Sequence, residues 1–276
     1  MTGILFSKIT HCILKPLFLF GGCILFMIGL SLNSEAAKNE LQGTFFESTR
    51  LIYPEDALHG KSIVLNNNSD KDFLLQAYVS HIDVETGLPT LPSKEFLVTP
   101  PLMHLGAHQI QNLRLLRTAG DFPTDRESVF FLTARLIPNE RTDSEKNISA
   151  SHTVVKFLTS LTVKVFWRPH GLDKPNAVED SAGKLKADIV GNTLILKNPT
   201  PYYVTLRTLS IGGSDVQANE LMHMVPPYGT QRYSLPIGTK RSSVTPVTWT
   251  AIKENGFDTI SYSTHVNAQQ ISSDIK

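Results

Sequence analysis

An all-β protein of two sandwich domains is the fold class this sequence predicts, and three observations carry it. Aromatic and β-branched residues recur in short runs broken by Pro, Gly and Asn. No stretch after residue 36 holds an apolar 3.6-residue period for long, which leaves strands as the repeating element. At 276 residues, with 41% hydrophobic and 18% charged, the chain is globular and has material for two cores of ordinary size.

The first segment stands apart. Lys8 and Lys15 precede the apolar run 16–30, and Ser34-Glu35-Ala36-Ala37 follows, the order of a secretory signal peptide. The run is short of the roughly 20 residues a membrane span needs, so residues 1–36 are expected to be removed, with cleavage after Ala36 or Ala37. Lipoprotein processing at Cys23 is discounted, because Cys23 lies inside the apolar run and a lipidated cysteine begins the mature chain. Cys12 and Cys23 are the two cysteines and both fall in this segment, so the mature protein is expected to hold no disulfide, thiol nucleophile or thiolate metal site. Losing Lys8, Lys15 and Glu35 leaves 24 basic and 24 acidic residues, with no basic face for nucleic acid or anionic lipid.

Strands are expected at residues 44–52, 62–65, 73–82, 96–99, 110–116, 129–137 and 154–167. Seven short strands with frequent turn signals between them suit an immunoglobulin-like sandwich. Arg168-Pro169-His170-Gly171 then interrupts the pattern, and the polar stretch to Gly183 places the hinge between domains 37–168 and 169–276. A second, smaller sandwich is expected from 185–189, 193–196, 203–211, 231–235, 247–252 and 259–266. Residues 139–152 are almost wholly polar and read as a long loop within the first domain.

Catalytic signals are missing. His104 and His108 are four apart, but Gly106 and nearby prolines oppose a helix that would align them as ligands. There is no nucleophile elbow, phosphate loop or dinucleotide glycine pattern. Glu55-Asp56 and Asp121, Asp125 and Glu127 sit in turn-like sequence and read as solvated turns. No enzyme, metal site or cofactor is expected.

The stretch 154–167 alternates. Val155, Phe157, Thr159, Leu161, Val163, Val165 and Trp167 share one face, and Lys156, Ser160, Thr162 and Lys164 the other. From pattern alone, the apolar face fills the chain's own sandwich.

Several segments bear a resemblance to the periplasmic pilus-assembly chaperones of the chaperone/usher pathway. Gly43-Thr-Phe-Phe-Glu-Ser-Thr-Arg50 resembles the family's first strand with its arginine, and Thr99-Pro100-Pro101 its Thr-Pro-Pro segment. Phe122-Pro-Thr-Asp-Arg-Glu-Ser128 and Arg135-Leu-Ile-Pro138 are similar to its Asp-Arg-Glu-Ser region. Lys164-Val-Phe-Trp-Arg-Pro169 resembles the end of its last first-domain strand, and Asn198-Pro-Thr-Pro-Tyr-Tyr203 its second-domain hallmark.

The resemblance implies two immunoglobulin-like domains in an L or boomerang arrangement and a non-enzymatic chaperone in the periplasm. Its partners would be pilus or fimbrial subunits and an outer-membrane usher, with weak self-association when free of subunit. By resemblance, Val155, Phe157, Thr159, Leu161 and Val163 form the donor strand that completes a subunit's sheet, and Thr159 stands where the family has a larger apolar residue. Arg50 and Lys164 would face a water-filled cleft and bind the subunit's terminal carboxylate. Glu127, Arg168 and Glu254 would form an inter-domain ion network. The competing readings are an immunoglobulin-like pilus subunit or adhesin, and an exported enzyme on a β-sandwich.

Overall fold

The computed structural model describes residues 42–83, 86–138, 158–240 and 242–267. Residues 1–36, Val155, Phe157 and the loop 139–152 lie outside these described residues. Among the described residues seventeen strands form two sandwiches, each a pair of sheets closed over its own apolar core.

In the first sandwich one sheet runs β1 (Gly43–Phe46), β3 (Lys61–Asn68), β8 (Ile110–Arg117), β6 (Phe96–Thr99). The other runs β2 (Arg50–Pro54), β10 (Thr159–Arg168), β9 (Ser128–Pro138), β4 (Phe73–Ile82), β5 (Pro89–Pro92), with β7 (Leu102–Leu105) also on β4. Alternation builds the core: Leu75, Ala77 and Val79 of β4, and Phe130, Leu132, Ala134 and Leu136 of β9, point inward. From the facing sheet come Ile63 and Leu65, Leu113 and Leu115, and Phe96 and Val98. Phe122, in the connection between β8 and β9, plugs one end against Trp167 at 4.7 Å, Phe130 at 5.5 Å and Phe96 at 6.0 Å.

The single strand expected over 44–52 is two strands. β1 pairs with β3; the chain then breaks at Glu47-Ser48-Thr49 and β2 joins the opposite sheet against β10. At the far edge of that sheet, β5 reads Pro89-Thr90-Leu91-Pro92, and its prolines remove amide donors that would otherwise invite another strand.

The second sandwich packs β11 (Lys186–Val190), β12 (Thr193–Lys197) and β15 (Thr230–Ser234) against β14 (Ser214–Asp215), β13 (Leu206–Ile211), β16 (Val244–Ala251) and β17 (Tyr262–Asn267). Leu194, Leu196, Tyr233, Leu209, Ile211, Val247 and Trp249 fill it. The hinge is not wholly irregular. A short helix, Ala177–Ala182, lies there, and Trp249 Nε1 donates to the Ala182 carbonyl at 3.0 Å. No helix among the described residues is long and apolar enough to cross a membrane.

Asn198 explains why the Asn-Pro-Thr-Pro-Tyr-Tyr segment holds its shape. Fully buried, its Nδ2 donates to the Tyr202 carbonyl at 2.6 Å, while its Oδ1 accepts from Thr200 N at 3.0 Å and Thr200 Oγ1 at 2.6 Å. Asn198→Ala leaves those groups unpaired in the interior and is expected to destabilise the protein by about 2–3 kcal/mol. Urea unfolding measures it; a loss below about 0.5 kcal/mol would show that the segment is held by its prolines instead.

Candidate functional site

β10 carries the site. Its antiparallel register with β9 runs from Thr159↔Leu136 to Trp167↔Ser128. On its other side the parallel pairing with β2 begins only at Lys164↔Arg50 and ends at Arg168↔Pro54. Among the described residues no strand lies on that side of residues 159–163, so a row of backbone donors and acceptors stands unpaired there. The cause is the break at residues 47–49: the chain reaches β10 only after serving the opposite sheet.

The odd positions of β10 are divided. Val163 is buried in the chain's own core, Leu161 packs partly against it, and Thr159 is exposed. Val163 is therefore spoken for by its own domain; among the described residues the strand runs Thr159–Arg168, and the expected stretch 154–157 lies outside them. The even positions face away from that core: Thr162 is exposed, Lys164 half-buried, and Phe166 is covered by Tyr203 of the second sandwich at 6.2 Å between rings.

Arg50 and Lys164 stand side by side where the open edge ends, because their strands pair in register. Arg50 does not face open water as expected. It is 6% exposed, because the turn after β16 closes over it: Nη1 donates to the Ile252 carbonyl at 2.9 Å, and its guanidinium lies 5.5 Å from the Phe166 ring. Its Nε has no partner. Burial pulls the Arg50 pKa down to about 10 against the opposing pull of Glu127 and Glu254. Burial, and then the charge of Arg50, pull Lys164 down to about 8. Among the described residues neither cation has a carboxylate within ion-pair distance. Two adjacent, partly desolvated cations with no carboxylate at ion-pair distance among the described residues concentrate positive charge at the end of the open edge.

The structure brings Glu127, Arg168 and Glu254 together. Arg168 Nε donates to Glu127 Oε1 at 2.9 Å, and its Nη2 lies 2.8 Å from that oxygen and 2.7 Å from Glu254 Oε1. Glu127 Oε2 accepts from Tyr203 N at 2.8 Å, tying the first sandwich to the second. Burial raises the Glu127 pKa, with Arg168 opposing; burial lowers that of Arg168, but Glu127 and Glu254 outweigh it and the net shift is upward. Besides the Tyr203 amide, three participants around these cations had not been foreseen. Asp173 accepts from Arg168 Nη1 at 3.2 Å, Tyr202 lies under the same guanidinium at 5.2 Å, and Ile252 serves through its carbonyl. Asp173 had a signal, an acid five residues beyond Arg168 in a polar hinge; a backbone carbonyl has none.

Elsewhere the polar groups are separate. His108 pairs with Asp70 at 2.9 Å and His104 with Asp72 at 3.5 Å. No group of three or more His, Cys, Asp or Glu among the described residues is placed to hold a metal ion.

Comparison with known proteins agrees with the two-domain fold. Residues 43–173 match the family described as pili and flagellar-assembly chaperone, PapD N-terminal domain, and residues 180–262 match the pili assembly chaperone PapD, C-terminal domain. The chaperone protein AfaB of Escherichia coli is 33% identical over 75% of this chain and 83% of its own length. The chaperone protein PsaB of Yersinia pestis is 32% identical over 76% of this chain and 78% of its own. Among solved structures, the E. coli chaperone DraB is 29% identical with a TM-score of 0.67, covering 83% of this chain and 98% of its own. A chain from the complex of the Salmonella enterica SafA pilin with the SafB chaperone is 27% identical with a TM-score of 0.68, covering 82% and 97%.

Proposed function

Since the chain belongs to the PapD-like family of pilus-assembly chaperones, we propose that it acts in the periplasm, lending the open edge of β10 to pilus or fimbrial subunits and passing them to an outer-membrane usher. The observation that carries this reading is the unpaired edge at residues 159–163 ending at the Arg50–Lys164 pair. A subunit short of one strand presents the complementary lack, an apolar groove with unpaired backbone. Strand addition satisfies both edges, and the cations capture the subunit's terminal carboxylate and so fix its register. By the family motif Val155, Phe157 and Thr159 would enter the groove; of these Thr159 is the one among the described residues, and it is exposed, whereas Val163 remains in its own sandwich. No nucleotide or cofactor is needed, because the free energy comes from the subunit's folding on the donated strand.

The alternative, a pilus subunit or adhesin, fits less well, because both sandwiches have their last strands, β10 and β17, in place. Co-expression with subunits encoded beside this gene is expected to yield a one-to-one complex. In sedimentation the subunit-free protein is expected to run as a weak oligomer that the subunit dissociates. Failure of every neighbouring subunit to co-purify would overturn the proposal.

A further inference from the structure

A cavity of about 280 Å³ lies between the two sandwiches, and its lining includes neither Arg50 nor Lys164. The first sandwich contributes His81 to it, and the second contributes Met222, His223 and Met224. We propose that these two thioethers and two imidazoles form a binding site for a soft monovalent cation, copper(I), held between the domains.

Local structure gathers the donors. His81 stands near the end of β4, and Met222 closes the short turn of helix Glu220–Met222. His223 is extended, with φ −75° and ψ 123°, so Met222 and Met224 leave the chain on the same side, as residues i and i+2 do on a strand. Leu221 and Val225, which flank the three, are buried in the second core, and Tyr233 donates to the His223 carbonyl at 3.2 Å. The segment is therefore fixed at both ends and in its middle. Its methionines are left outside that core: Met222 is 50% exposed and Met224 half-buried. The turn after β4 closes on the same segment, so that a Cβ on Gly87 would stand 3.3 Å from His223 Nδ1. Glycine at that point lets the first sandwich approach the imidazole.

The donor set selects the ion. Thioethers are soft and uncharged and favour copper(I), which imidazole also suits, whereas calcium and magnesium require oxygen ligands. Among the described lining residues Asp83 carries the one carboxylate, and its Oδ1 already accepts from Thr86 N at 2.8 Å. No His, Cys, Asp or Glu group of three is placed to hold a metal among the described residues, so the methionines are what complete this set. Glu95 Oε2 lies 3.4 Å from His81 Nε2. A carboxylate on one ring nitrogen orients an imidazole and leaves the other nitrogen, here Nδ1, for the ion.

The test titrates the exported protein, or the full chain carrying Cys12→Ser and Cys23→Ser so that no thiol competes, with copper(I) under anaerobic reducing conditions against a chromogenic copper(I) chelator. The wild type is expected to take one equivalent from the chelator, to keep it in the presence of equal zinc(II), and to unfold at a higher temperature when loaded. Met222→Leu combined with Met224→Leu is expected to weaken binding by roughly 100-fold or more, and His81→Ala likewise, the upper end of what losing a mere supporting partner of a ligand costs. Leucine is close to methionine in size, so the empty double variant should unfold like the wild type. A wild type that leaves all copper with the chelator overturns the site. So does a double variant that binds as tightly as wild type, or a site that prefers zinc(II). Unchanged binding in His81→Ala overturns the bridge between domains.

Discussion

Replacing Lys164 with methionine is expected to lower subunit affinity by roughly thirty-fold to several thousand-fold while leaving the empty protein folded and more stable than wild type. Capture brings the terminal carboxylate out of water, and removing one of its two cations then costs about 2–5 kcal/mol. The empty protein gains because Lys164 is held at a pKa of about 8 by burial and by Arg50, against an ordinary 10.5. In the pH window between those values the unfolded chain binds the extra proton, so wild-type stability rises as pH climbs through it; below about 8 both states are charged and the full burden of a desolvated ammonium is present. Lys164→Met should remove both the burden and the rise. For wild-type capture the sign is opposite, because the cation that binds carboxylate is lost above pH of about 8 and affinity falls from there. Thermal unfolding and subunit pull-down across pH 7 to about 10 test both halves. A Lys164→Met protein that captures subunits at wild-type affinity would end the anchor assignment for that residue. Lys164 is a cleaner site than Arg50, whose guanidinium also holds the Ile252 carbonyl, so that Arg50→Ala alters the inter-domain contact as well.

Glu127→Ala is expected to destabilise the protein by about 3 kcal/mol or more, the second large effect. Glu127 is 2% exposed and Arg168 1%; Glu127 through Tyr203 N and Arg168 through Glu254 join this first-sandwich pair to the second sandwich. Removing the carboxylate leaves a buried guanidinium with only Glu254 and Asp173, both more exposed, and an amide with no acceptor. Glu127→Gln keeps the shape and an acceptor and should lose less. Urea unfolding separates them, and a Glu127→Ala change under about 1 kcal/mol would reduce the network to the standing of a surface ion pair.

The strands of the first sandwich were legible where one face is buried, because Leu75, Ala77 and Val79 or Leu132, Ala134 and Leu136 announce a period of two. The break between β1 and β2 was not, since Glu47-Ser48-Thr49 contains neither Pro nor Gly and its cause is a choice of partner sheets far away in sequence. The helix at 177–182 is too short to show a 3.6 period. Alternation along β10 gave a correct apolar face yet did not reveal where the chain's own core lets go of it, between Leu161 and Thr159. Arg50 and Lys164 came from the family motifs, and the parallel register that sets them side by side is invisible to local pattern.

The prolines of β5 bear on how far assembly can proceed. A sheet open at both edges would behave as a bifunctional monomer, able to propagate in two directions and polymerise. Here the β5 part of one edge carries Pro89 and Pro92, β7 forming the rest of it, and among the described residues the other edge is open along 159–163. A strand laid on β10 finds no equivalent amide row along β5, so that part of the opposite edge behaves as a chain terminator does in a step-growth polymerisation.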